Sequence, residues 1–352
     1  MRHKIRLVIG LAVVGLNGCS DGRPVTRINA GGSTFVDPIM QKWAGEYRGI
    51  SGIEVDYVKK GSGYGIAQMT ARTLDFGCSD APMTADELAR AKAENGDVLH
   101  VPVTMGAVAI IYHLPEIGAA RLRLSGPVLA DIFARKLTRW NAKPIADLNP
   151  GVPLPDAPVT PVVRAESSGT TNIFSEYLSN VSEPFAQQVG TSKKPKWPDG
   201  VIGQEGSDGV TSHVRKNPYC IGYVEVLFAK KNNVPTALVR NRAGAYTPPD
   251  PANVTAAAAA AAGLTPTDPP YSLHELTFSL TDPAGDQSYP ISCMSYALVY
   301  ARQPAAKGRV IADFLRWVVT DGQRFAADLE YAPLPADLQG KAAKRLDAVV
   351  PE

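Results

Sequence analysis

Three turns of small residues punctuate this chain, and each leads straight into helical sequence: Gly31-Gly32-Ser33-Thr34-Phe35, Gly61-Ser62-Gly63-Tyr64-Gly65 and Glu166-Ser167-Ser168-Gly169-Thr170-Thr171. A fourth polar element, Phe76-Gly77-Cys78-Ser79-Asp80-Ala81-Pro82, closes a short strand-like run. The first N–H groups of a helix have no acceptor inside it. A Gly/Ser/Thr turn leaves them aimed outward beside hydroxyl donors, which makes a socket for a tetrahedral oxyanion. One such turn is ordinary helix capping. Their recurrence, with Arg164 beside one and Asp80 in the fourth element, is what constrains the fold and its use.

Around these turns the pattern alternates between strand and helix. After a strand over 25–30, Asp37 is expected to cap a helix with Pro38 in its first turn and Ile39, Met40, Trp43 and Tyr47 at helical spacing. Ile53, Val55 and Tyr57 alternate as a strand does, and Thr84 with Glu87 reads as a capping box whose helix stops at Asn95-Gly96. The run 98–114 is apolar and rich in β-branched residues, long enough for a strand that passes from one domain into the next. Further strands are expected at Val162-Val163, over 220–226 and over 289–300. The Ala-rich segment 245–272 reads as a peripheral helix with loose flanks. The expectation is an α/β protein with open, largely parallel sheets. In such sheets ligands gather at the strand carboxyl ends, where the polar turns fall. At 352 residues two domains are expected.

The chemistry of the socket follows from its donors. Thr34 hydroxyl, the Phe35 backbone N–H, Ser62 hydroxyl, Ser168 hydroxyl and the N–H groups of Gly169 and Thr170 supply neutral hydrogen bonds. Arg164 supplies a charge-assisted fork, roughly twice as strong per bond, with Glu166 placed to hold it. Capping of helices by the Ser and Thr residues, and a surface ion pair for Arg164 and Glu166, are the bland alternatives. Asp80 is the odd member, because an ionised carboxylate only accepts. It repels an anion unless the anion brings a proton, as mono- and dihydrogen phosphate do and sulfate does not. It therefore selects by penalising the unprotonated competitor. The bland reading is a turn cap before Pro82.

Arg2, Lys4 and Arg6 precede an apolar run over 7–16, too short to span a bilayer, and then Leu16-Asn17-Gly18-Cys19. Residues 1–18 read as an export signal. Small residues before Cys19 resemble the lipobox of bacterial lipoproteins, in which that Cys becomes lipidated; an ordinary signal peptide is the alternative. Without those three cations the formal charge of +2 becomes −1, which argues against nucleic acid as a partner. Cys78, Cys220 and Cys293 sit in apolar, strand-like surroundings and read as buried small residues, a Cys220–Cys293 disulfide being the alternative.

The ordered set Gly31-Gly32-Ser33-Thr34-Phe35, Asp75-Phe76-Gly77-Cys78-Ser79-Asp80-Ala81-Pro82, Arg164-Ala165-Glu166-Ser167-Ser168-Gly169-Thr170 and Ile221-Gly222-Tyr223-Val224-Glu225, with Arg139-Trp140-Asn141, resembles the phosphate-binding subunit of the bacterial high-affinity phosphate ABC importer. The likeness covers nearly all of the chain after the signal. It implies a two-lobed periplasmic-binding-protein fold (type II), each lobe an open sheet flanked by helices, closing on one inorganic phosphate. On that basis lobe I is expected at 25–107 with 285–352 and lobe II at 108–284. The phosphate contacts carry over to Thr34, Phe35, Ser62, Asp80, Arg164, Ser168, Gly169 and Thr170. The implied partners are an ABC permease and its ATPase subunits. A monomer without cofactor or metal is expected, exported and held to the membrane (periplasm or cell surface) only through Cys19. Two departures stand out. Gly63 and Tyr64 replace an expected second Ser and paired glycines, and Glu166 stands where an Asp commonly partners the Arg.

Other functions remain open on sequence. A phosphate-ester hydrolase would need a nucleophile with its base, or a metal cluster. His100, His113, His213 and His274 are scattered, and neither an H-E-x-x-H nor a G-x-S-x-G motif occurs. A phosphate or arsenate sensor or scavenger without a permease keeps the same fold.

Overall fold

The computed structural model describes residues 26–262 and 270–351. The signal segment, Cys19 and part of the 245–272 stretch lie outside them. In chain order, strand β1 (Arg27–Gly32) leads into helix α1 (Asp37–Ser51), β2 (Glu54–Lys59) into α2 (Ser62–Thr70), and β3 (Phe76–Ser79) into α3 (Ala85–Asn95). The long strand β4 (Val98–Tyr112) follows, then β5 (Thr160–Arg164) into α4 (Gly169–Val181) and β6 (Ile202–Gln204) into α5 (Gly206–Lys216). After β7 (Cys220–Glu225) come α6 (Pro251–Ala261), β8 (Ile291–Tyr300) and α7 (Ala305–Val319).

One sheet runs through the molecule in the order β2-β1-β3-β8-β4-β7-β5-β6. Its two ends are parallel: β1 with β2 and β3, and β5 with β6 and β7. The middle is antiparallel, since β8 opposes both β3 and β4, and β4 opposes β7. The expected parallel sheets therefore meet through two long antiparallel strands. A return strand and a crossing strand both read as buried apolar runs, and composition alone does not encode their direction.

β4 is the shared element. Its residues 98–107 pair with β8 and its residues 108–112 with β7. All fifteen of its residues are buried, as a strand covered on both faces must be. Call the β2-β1-β3-β8 side the first half and the β7-β5-β6 side the second. Ile39, Met40, Trp43 and Tyr47 of α1 are buried on the first half, as the 3.6-residue spacing requires. Thr84 and Glu87 make both bonds of the capping box.

One local expectation is corrected and two others can be compared. Val36 holds the N-cap position of α1 without a side-chain bond, and Asp37 is the first helical residue. There Asp37 accepts from Gln41 at 3.0 Å and pairs with Lys59 at 3.2 Å. The Ala-rich segment does form a helix, α6, docked by Val254, Ala257 and Ala258 with Asp250 as its cap, while part of its C-terminal flank lies outside the described residues. Cys78, Cys220 and Cys293 are buried free thiols, so the alternative disulfide is not formed.

The β1–α1 turn tolerates no side chain at Gly32. Its φ is +135°, and a Cβ there would lie 2.3 Å from the Cys78 carbonyl oxygen. The same peptide accepts from the N–H groups of Lys60 (3.0 Å) and Gly61 (2.9 Å), so it ties the first polar turn to the second. Gly32→Ala is expected to destabilise the protein by about 1–3 kcal/mol, the cost of a forced backbone conformation. Urea unfolding checks this, and a midpoint equal to that of the unmodified chain would show that the turn relaxes freely.

Candidate functional site

The polar turns converge where the two halves meet. Ser62 opens α2, and its hydroxyl oxygen accepts the Gly169 N–H from the first turn of α4 at 3.0 Å and the Asp80 N–H at 3.3 Å. Asp80, one residue beyond β3, is 1% exposed. Ser33 Oγ lies 2.6 and 2.7 Å from its two carboxylate oxygens, and Ser295 Oγ donates to Oδ1 at 2.8 Å. Oδ2 also has Ser62 Oγ of its own half and Thr170 Oγ1 of the other half, each at 3.5 Å. Arg164 Nη1 is in turn 3.5 Å from Thr170 Oγ1. A carboxylate and a guanidinium thus face each other across the junction with hydroxyls between them.

Arg164 ends β5, and its side chain is almost wholly buried. Glu166 Oε1 accepts from its Nε at 2.7 Å and also from its Nη2. One edge of the guanidinium is therefore spent on Glu166, and Nη1 points toward Thr170. The surface ion-pair alternative does not apply to a side chain this buried. Glu166 also accepts the Gly206 N–H at 3.2 and 3.3 Å, which fixes the start of α5 to the same carboxylate. One Glu side chain thus serves both the Arg and a second helix terminus.

The other expected residues are present with more divided duties. Thr34 Oγ1 is 3.0 Å from Ser207 Oγ across the junction. The Phe35 N–H donates to Ser33 Oγ at 3.0 Å, and its ring packs edge-on to Tyr331. Ser168 Oγ accepts from the Thr171 N–H at 3.2 Å, so it does cap α4. Gly169 and Thr170 are the first two residues of that helix, where N–H groups lack intrahelical acceptors. Gly169 is required by contact: a Cβ there would lie 2.5 Å from Ser62 Oγ and 2.8 Å from the Asp80 nitrogen.

Sequence reading missed three contributors. Ser33 lies inside the Gly31–Phe35 turn, directly before Thr34. Gly206-Ser207 opens a helix in the same small-residue grammar as the other turns, so the signal was there. Ser295 carried none. It lies mid-strand in β8, where the register with β4 shifts between Ser295 and Tyr296, and such a bulge re-aims a side chain.

Burial raises the Asp80 pKa above the ordinary carboxylate value; the Ser33 and Ser295 hydroxyls, then the Arg164 charge and Thr170, pull against it. The hydroxyls of Ser62 and Ser168 have no imidazole among their partners. His100 accepts from the Met83 N–H at 3.1 Å instead, and His113 is engaged with the Val214 carbonyl. Among the described residues no group of three or more His, Cys, Asp or Glu could hold a metal ion, and no helix is long and apolar enough to cross a membrane.

This combination of a crossing strand, two half-sheets and helix N-termini meeting at a buried polar junction is that of a two-lobed binding protein. The family model described as "PBP superfamily domain" matches residues 20–322. The "Phosphate-binding protein PstS" of Pasteurella multocida (strain Pm70) is 39% identical over 88% of this chain and 87% of its own length. Its namesake in Methanocaldococcus jannaschii is 32% identical over 91% and 89%. Among solved structures, the "Phosphate-Binding Protein from Stenotrophomonas maltophilia" is similar with a TM-score of 0.69 at 18% identity, covering 91% of this chain and 93% of that one. A putative phosphate ABC transporter substrate-binding protein with bound phosphate from Clostridium perfringens gives 0.62 at 18% identity, covering 88% of this chain and 100% of that one. The chain belongs to the PBP superfamily and, within it, to the PstS family of phosphate-binding proteins.

Because Ser295 is one of the donors that favour the charged form of Asp80, Ser295→Ala is expected to move the Asp80 titration further upward. Carboxyl-carbon NMR across a pH series reads this directly. An Asp80 midpoint that does not move would show that Ser295 has no hold on the charge.

Proposed function

We propose that this protein captures inorganic phosphate outside the cytoplasm and delivers it to an ABC permease, by binding and domain closure with no covalent step. The observation that carries the reading is the buried Asp80 carboxylate set among donors. A site built only to attract anions gains nothing from an acceptor, whereas one that must recognise a protonated oxyanion needs it. The PstS relatives named above support the choice of phosphate. The phosphate oxygens would take hydrogen bonds from Thr34, the Phe35 N–H, Ser62, Arg164, Ser168 and the N–H groups of Gly169 and Thr170. The P–OH proton would go to Asp80. Ser33, bridging Asp80 and the Phe35 N–H, would give up the latter bond as the ligand enters.

The lobes of this reading are residues 25–107 with 285–352, and residues 108–284, with β4 and β8 passing near the hinge. Donors come from both sides, so the ligand stabilises the closed arrangement. Export through the signal at 1–18 and a lipid tether on Cys19 complete the proposal, with the exported body acting as a monomer and not as an enzyme.

Arg164→Ala is expected to weaken phosphate binding by about 1.5–3 kcal/mol, the scale of a hydrogen bond to a charged group. Isothermal titration calorimetry checks it after bound ligand has been stripped. Unchanged affinity would remove Arg164 from the site. Silence of the unmodified protein toward phosphate would sink the function itself.

Selectivity has its own test in pH. Above the Asp80 pKa the carboxylate is charged and excludes sulfate, which has no proton to offer. As pH falls through that pKa, Asp80 gains a proton, becomes a donor and stops repelling. Burial places the change above the usual range near ~3.9. Sulfate binding should therefore strengthen on acidification in the unmodified protein. In Asp80→Asn the gap between phosphate and sulfate should be narrow already at neutral pH. Equal rejection of sulfate by the Asn variant would show that Asp80 is not the selecting group.

A further inference from the structure

Besides the turns themselves, one buried cation joins the two halves. Lys193 lies in the segment between α4 and β6, and only 7% of its side chain is exposed. Its ammonium crosses to the first half, where it pairs with Glu87 Oε2 at 2.7 Å and donates to the Pro82 carbonyl at 3.1 Å. Pro82 is two residues past Asp80. The backbone of the same residue faces the other way: the Lys193 carbonyl accepts the Ser168 N–H at 2.8 Å. A single residue therefore grips the Asp80 loop with its side chain and the N-cap of α4 with its main chain.

We infer that Lys193 is a closure latch, a positioning residue whose ion pair with Glu87 holds the two anion-binding turns together and slows ligand release. The inference rests on the phosphate-capture reading for its ligand. Its geometry is independent of that reading, because none of the contacts is to the anion.

Burial is what gives the latch its strength. Lys59–Asp208, at 2.9 Å, also spans the junction, yet the two side chains are 44% and 64% exposed. Exposed pairs of that kind contribute little. Opening the halves strips Lys193 of both its partners while its carbonyl remains tied to Ser168. Loss of one partner in a buried charge pair acts mainly on the dissociation rate. Glu87 is suited to the role because the capping box holds it in place, its Oε2 accepting the Thr84 N–H at 2.8 Å. The helix cap that starts α3 thus doubles as the fixed post for the latch.

The test is a chase experiment on the full-length chain. Protein loaded with radiolabelled phosphate is diluted into excess unlabelled phosphate, for the unmodified chain, Lys193→Met, Glu87→Gln and the double variant. Glutamine preserves the capping box and removes only the charge. The expected result is release at least about tenfold faster in Lys193→Met with association within about twofold, since steering is not involved. Glu87→Gln should fall between, and the double variant should be no faster than Lys193→Met alone. Unchanged release in a folded Lys193→Met overturns the latch. If that variant does not fold, Glu87→Gln decides by the same criterion. If the unmodified chain holds no phosphate, the function reading falls and small-angle X-ray scattering of the ligand-free proteins decides the latch instead. A larger radius of gyration for Lys193→Met supports it, and identical profiles overturn it.

Discussion

A carboxylate that is 1% exposed is costly to keep charged, and the arrangement around Asp80 is what makes it tolerable. Ser33 reaches both carboxylate oxygens and Ser295 donates to Oδ1 from within the first half, while Ser62, Thr170 and, beyond them, Arg164 lie on the side of Oδ2. Each of those partners is delivered by a separate backbone device. Ser33 follows the Gly32 turn, Ser62 begins α2, Ser295 stands at a bulge in β8, and Arg164 ends β5. The topology brings their ends together because β8 lies beside both β3 and β4. Remove the return strand from that place and Asp80 loses the Ser295 donor to its Oδ1.

The junction also explains the glycines. A Cβ at Gly63 would lie 2.4 Å from the Ser167 Cβ, and the Gly63 N–H donates to the Ser167 carbonyl at 3.0 Å. Ser167 on the opposite side occupies the space that a side chain at 63 would take. Gly169 performs the reciprocal service for Ser62. With bare backbone facing side chain in both directions, the halves approach closely enough for one half's hydroxyl to accept the other half's N–H. The residues that meet there, Ser62, Asp80, Ser168 and Thr170, are all buried, and a low local dielectric strengthens the hydrogen bonds they make.

What could be read from sequence is what is local. The capping box at Thr84 and Glu87, the buried stripe of α1 and the turn-to-helix starts at Ser62 and Ser168 all depend on neighbours within a few residues, and all are present. The eight candidate contacts also sit in short motifs, and the structure places those motifs at the junction. Ser295 depends instead on a register shift between strands nearly two hundred residues apart, and nothing in Met294-Ser295-Tyr296 announces it. Lys193 is one lysine in a loop containing Lys194 and Lys196, and only its burial separates it from them. The antiparallel middle of the sheet was hidden for a related reason. Apolar runs such as β4 and β8 state that a strand is buried, and leave its direction to the connections.

The formal charges at the junction show how affinity and selectivity are divided. Arg164 is the one cation facing Thr170, and Glu166 takes two of its nitrogens. With Asp80 added, the immediate surroundings carry one positive and two negative formal charges. A dianion could not be held there by net charge. Attraction has to come from oriented dipoles: hydroxyls, the N–H groups at the starts of α2 and α4, and the single free edge of the guanidinium. Such donors are short-ranged and directional, and they weaken steeply as the halves part. On the proposed reading, that is why closure, and the groups that hold the halves closed, matter as much to binding as the residues that would touch the anion. It is also why a chain with almost no net charge can be built to hold one.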